Sequence, residues 1–215
     1  MSKDKFLLHE KFKNPLNKEE FIEAKKLYLE FITTNEYEIK ATKDIFQLIQ
    51  NIKRSPEKIG PYQNMSVFEA LNRIGSDLVL LSGAEKLFTS EIPPENILLR
   101  MGNTQGFDFE VLYKGNKKVY GEAFNAAKSF CKHKMRQAID KLVDKNPDKK
   151  ATSAIIFINE EMKGFLENYK NKKETKNEKT IKIQKIYCNV NLQKTKFQEA
   201  RDILLPKLMN RQIEV

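Results

Sequence analysis

The sequence predicts an α/β fold, with a mixed central sheet flanked by helices and an N-terminal helical region ahead of it. Three observations predict this. From residue 97 onward, segments of two-residue alternation are interleaved with stretches of helical spacing. The run Ala154-Ile155-Ile156-Phe157-Ile158 is continuously apolar, as in a strand buried on both faces. Residues 1–60 carry helical patterns only. A chain of 215 residues suits one domain with an appendage, here a helical region over 1–60 and an α/β core over 61–215.

In the helical region, Asn17 is placed to cap a helix carrying Phe21, Ala24, Leu27, Tyr28 and Phe31. A second helix starts near Thr42 and sets Ile45, Leu48, Ile49 and Ile52 on one face, until Lys53-Arg54-Ser55-Pro56 ends it. Neither helix holds a catalytic motif. They read as a cap on the core, with a dimerisation or DNA-embracing arm as the alternative. Gly60-Pro61-Tyr62-Gln63-Asn64 reads as a loop. Ser66-Val67-Phe68-Glu69 is a capping box, and Val67, Leu71, Ile74, Leu78 and Leu81 form the stripe of the helix it starts. Gly83 marks a kink or end of that helix, Pro93-Pro94 is a firm break, and residues 97–101 form the first strand.

The next segments form a hairpin. Phe107, Phe109, Val111 and Tyr113 alternate with Asp108, Glu110 and Leu112; Val119, Gly121 and Ala123 alternate with Tyr120, Glu122 and Phe124. A three-residue loop, Lys114-Gly115-Asn116, sets Val111 opposite Val119, Phe109 opposite Gly121 and Phe107 opposite Ala123, large residues against small. The same register places Asp108 opposite Glu122, with Glu110 beside them. An even loop would strand the charges in the core. Three neighbouring carboxylates repel one another unless a cation or basic groups compensate. Hard oxygen ligands favour Mg²⁺, which suits phosphodiester hydrolysis; a polar face neutralised by nearby lysines is the plainer reading.

A basic helix follows, with Asn125 as its expected N-cap and Ala127, Phe130, Cys131, Ala138, Ile139 and Leu142 as its expected buried side. Lys128, Lys132 and Arg136 form one exposed stripe, and Lys134, Lys141 and Lys145 another. Phosphate contacts are expected of Lys132 and Arg136. Asn103 and Gln105, in the polar loop before Asp108, are placed to touch nucleic acid. After the strand at 154–158 come a short helix from Asn159, a lysine-rich loop over 170–179, a final strand over 180–190 and a final helix over 197–208.

Net charge is +10 and the pI about 9.4, which favours a polyanionic partner such as DNA. Two cysteines, outside any CxxC pair, and two histidines leave no parts for a zinc site or a histidine triad. With no long apolar run, a soluble, cytoplasmic protein without membrane contact is expected.

The order of helix, three-stranded meander, helix and strand over residues 66–159 resembles the PD-(D/E)XK, or restriction-endonuclease-like, nuclease superfamily. By that resemblance Asp108 matches the first acid and Glu122 the second, and an acid of the preceding helix, Glu69 or Asp77, joins the metal site. The family's lysine falls two residues after the second acid, where this chain has Phe124. Lys128, six residues after Glu122, is the candidate replacement, with Lys118 as its competitor. The resemblance implies a Mg²⁺-dependent endonuclease acting on double-stranded DNA, similar to type II restriction enzymes and to their homodimers. The alternatives are a catalytically silent DNA-binding member of the fold and a basic α/β interaction protein.

Overall fold

A computed structural model describes residues 5–34, 44–54, 57–102, 106–146, 152–169 and 181–190. In chain order the elements are α1 (Lys18–Thr33), α2 (Ile45–Arg54), β1 (Glu57–Ile59), β2 (Tyr62–Met65), α3 (Val67–Phe88), β3 (Asn96–Leu99), β4 (Phe109–Tyr113), β5 (Lys117–Phe124), α4 (Lys128–Asp144), β6 (Ser153–Asn159), α5 (Lys163–Leu166) and β7 (Lys182–Cys188). Five strands form a mixed sheet in the order β3-β4-β5-β6-β7. The first three make an antiparallel meander, and β6 and β7 then add in parallel. A parallel neighbour needs a crossover, which α4 supplies between β5 and β6.

Both faces of the sheet are covered. One face, with Ile97, Phe109, Val111, Val119, Ile155 and Phe157, shares a core with Ile74, Leu78 and Leu81 of α3. The other, with Phe124, Ala154, Ile156 and Ile158, packs on Cys131, Met135, Ala138, Ile139 and Leu142 of α4. This explains the unbroken apolar run of β6, whose residues from Ala154 to Ile158 are all buried.

The hairpin register is the one that residue size selects. Phe109 pairs with Gly121 and Val111 with Val119. Phe109 stacks on Phe157 at 4.1 Å, and a Cβ at Gly121 would overlap the Phe109 ring. The turn Lys114–Asn116 is a single 3-10 turn with positive φ at Gly115 and Asn116, a conformation that suits these two residues. Phe107 departs from the expected face. β4 begins at Phe109, so the chain at Phe107 is free of the pleat, and its ring joins the α4 side against Tyr120 at 5.1 Å.

The N-terminal region is sewn into the same core. Phe6 bridges to Tyr62 and Leu16 to Ile97, and Phe21, Ala24 and Tyr28 of α1 are buried among α3 residues. Asn17 and Glu20 form a reciprocal capping box at α1, with bonds of 2.9 and 3.0 Å. Residues 60–64 are not a plain loop but part of the short β1–β2 hairpin, pinned by the fully buried Tyr62. At α3, Ser66 accepts the Glu69 N–H at 3.2 Å, while the Glu69 carboxylate pairs with Arg73 instead of returning to the cap. Gly83 does not end α3; the helix passes through it because the Phe157 ring fills the space of a Cβ. At α4 the cap position is Ala127, and Asn125 instead accepts a bond from Asn159 at 3.0 Å. The buried stripe of α4 excludes Phe130, which is 64% exposed: it lies one residue, about 100° of helix, off the row through Cys131 and Met135. The expected start of α2 at Thr42, the 170–179 loop and the final helix over 197–208 fall outside the described residues.

Candidate active site

Asp108 sits immediately before β4, and Glu122 lies in the last turn of alternation of β5. The register that pairs Phe109 with Gly121 continues to set Asp108 against Glu122. The Ala123 N–H donates to Asp108 Oδ2 at 2.8 Å, and the Asp108 N–H donates to Glu122 Oε1 at 3.3 Å. The two acids are therefore held by the ends of the strands that carry them. Lys141, near the end of α4, closes the group. Its Nζ lies 2.7 Å from Glu122 Oε1 and 2.9 Å from Oε2, and 5.7 Å from the centre of the Phe107 ring.

Burial raises the pKa of both acids. For Asp108 desolvation is opposed by the Ala123 N–H and by the charges of Lys141 and Lys134. For Glu122 desolvation is reinforced by Asp108 and opposed by Lys141. Lys141 and Lys134 together do not offset the desolvation of the two adjacent carboxylates.

The pair opens onto a cleft of about 790 Å³ between α3 and α4, lined also by Glu69, Arg73 and Phe68 of α3 and by Phe130 and Lys134 of α4. At the α3 wall stands Asp77, which is buried and receives the hydroxyls of Tyr28, at 2.8 Å, and Tyr62. Its carboxyl is pushed up to about 7, by burial first, with Asp108 adding to the rise and the tyrosine bonds and Arg73 opposing it.

The structure redistributes the other candidates. Glu110 is not beside Asp108 and Glu122: it faces Tyr120 across the hairpin and forms an ion pair with Arg100. Glu69 lines the cleft but is held by Arg73 at 2.7 Å. Lys128, at the start of α4, lies 5.3 Å over the Phe165 ring, whereas Lys141 is the lysine on Glu122. Lys118 pairs with Leu112 at the turn end of the hairpin. Lys132 and Arg136 are exposed on α4, with Arg136 3.3 Å from His133. Phe124 is buried on the α4 side of the sheet. Asn103 and Gln105 lie outside the described residues.

Among the described residues, no group of three or more His, Cys, Asp or Glu side chains converges on one point. The donors that do converge, Asp108 and Glu122, are hard carboxylate oxygens. A Mg²⁺ ion fits such a pair, since it commonly takes one or two carboxylates and completes its shell with water and phosphate. No protein-family model, curated protein or solved structure matches the chain. No helix among the described residues is long and apolar enough to cross a membrane.

Proposed function

We propose that the chain is a Mg²⁺-dependent endonuclease that hydrolyses DNA phosphodiesters, of the restriction-endonuclease-like class and similar to type II enzymes that act as homodimers. The observation that carries this reading is the junction of Asp108, Glu122 and Lys141 on a cleft that Arg73, Arg100 and Lys134 also line. Asp108 and Glu122 would hold the ion. Bound there, it would lower the pKa of a water and offset charge on the scissile phosphate. The chain's own groups do the rest. The Ala123 N–H fixes one Asp108 oxygen. Lys141 favours the ionised form of Glu122 against burial and would be the cation available to charge that develops as the phosphorus–oxygen bond breaks. Arg73 and Lys134 on the two walls suit flanking phosphates. Lys141, supplied by the crossover helix, takes the role that the resemblance gives to the position of Phe124.

A second reading rests on Phe124 itself: a nuclease fold that binds DNA without cutting it. Incubation of the protein with plasmid and phage DNA in Mg²⁺, beside Asp108→Ala, separates the two. Discrete fragments that disappear with the variant support the endonuclease. Binding without cleavage by either protein supports the silent fold.

A further inference from the structure

Of the described phenylalanines outside both cores, two face the cleft. Phe130, in the first turn of α4, is 64% exposed, and Phe68, in the first turn of α3, is 55% exposed, yet both line the cleft that holds Asp108 and Glu122. Neither α-helical stripe uses them: α3 buries Val67, Ala70 and Ile74, and α4 buries Cys131 and Met135. Phe68 precedes Asp77 by nine residues and Phe130 precedes Lys141 by eleven, which is about 14 and 16 Å of helix. Each helix also brings a cation to the cleft, Lys134 on α4 and, on α3, Arg73, which is paired with Glu69. Each wall therefore carries an aromatic ring and a cation.

We propose that the cleft takes a DNA strand with unpaired bases, whose nucleobases stack on Phe130 and Phe68 while Arg73 and Lys134 hold its phosphates. A duplex buries the faces of its bases in its own stack, so solvent-exposed rings beside the phosphate path gain little from it. A single strand or an opened segment offers a free face to each ring, and stacking of this kind is tolerant of sequence. The inference rests on the nuclease reading of the same cleft and narrows its substrate from intact duplex to strand.

The test is fluorescence anisotropy in EDTA, with a short labelled single strand and its duplex as probes, on the wild type, Phe130→Ala, Phe68→Ala and Phe130→Tyr. The strand should bind more tightly than the duplex. Each alanine variant should weaken strand binding by roughly 5- to 100-fold, as expected of one lost stacked base, with duplex binding unchanged. Phe130→Tyr should bind as the wild type does. Both rings are exposed, so unchanged thermal melts should accompany the loss. Equal binding of strand and duplex, or strand binding indifferent to both alanines, overturns the inference. Cleavage in Mg²⁺ is scored separately. Duplex cutting with no aromatic dependence removes the strand site and leaves the nuclease; aromatic-dependent strand binding without cutting removes the nuclease and leaves the strand site.

Discussion

Asp77 and Glu122 are both buried carboxylates near one cleft, and they are held in opposite ways. Asp77 is closed in by two hydroxyls, Tyr28 from α1 and Tyr62 from β2, neutral donors fixed by the core. Glu122 is met by one long, flexible cation, Lys141, and by the backbone of its neighbour Asp108. The two hydroxyls tie α1 and β2 to α3 through the Asp77 carboxylate and pull its pKa down against the larger effect of burial. Burial raises Glu122 to about 7 as well, and there a charged partner, Lys141, opposes the rise. The difference is between a carboxylate held by two core hydroxyls and one held by a single cation.

The comparison breaks most visibly on the chemical side. Lys141→Met should lower the rate of DNA cleavage by roughly 10²- to 10³-fold, whereas Lys128→Met, whose ammonium sits over Phe165, should change it less than tenfold; single-turnover cleavage assays measure both. An equal loss in the two variants would contradict the assignment of Lys141. On the structural side, Asp77→Ala removes the acceptor that Tyr28 and Tyr62 share and should cost about 1–3 kcal/mol, read as a lower denaturant midpoint with an unchanged m-value. Gly121→Ala should cost a similar ~1–3 kcal/mol by overpacking, because its methyl group would overlap the Phe109 ring. Adding Phe109→Leu should recover part of that loss, and thermal melts of the single and double variants check it.

A smaller effect sharpens the contrast through pH. The Asp77 carboxyl moves from 3.8 to about 7 on folding. The folded chain therefore holds a proton that the unfolded chain has lost over that window. Its contribution to stability is present below about pH 4 and is lost as pH rises toward 7. Asp77→Asn should flatten that part of the stability profile, measured as melting temperature against pH. A profile unchanged by the substitution would mean that Asp77 titrates normally.

What was legible in the sequence follows from what local rules determine. The register of β4 and β5 was readable because Phe109 needs Gly121 opposite, and that same register brought Asp108 to Glu122. The Asn17 cap and the doubly buried β6 followed from short-range patterns. Lys141 was not readable as a site residue. Its contact depends on how the crossover helix lies over the sheet, and in sequence it is one lysine of an apparently solvated row. A clue was its position three residues after the buried Ala138 and one before the buried Leu142, at the margin of the core stripe. Asp77 likewise draws its partners from 49 and 15 residues away. Phe130 was misplaced because helical spacing alone leaves a one-residue ambiguity at the edge of a stripe. Glu110 was drawn from the cluster by Arg100, a cation ten residues earlier and just past the end of the paired strand β3.

The central claim is that Asp108 and Glu122 form a divalent-cation site. Isothermal calorimetry of Mn²⁺ onto the wild type and Asp108→Ala tests it without reference to any DNA substrate. The account predicts saturable binding to the wild type that is abolished in the variant, with the variant at least as stable to heat because the repulsion between the two acids is relieved. Absence of saturable binding to the wild type, or binding indifferent to Asp108, would contradict it.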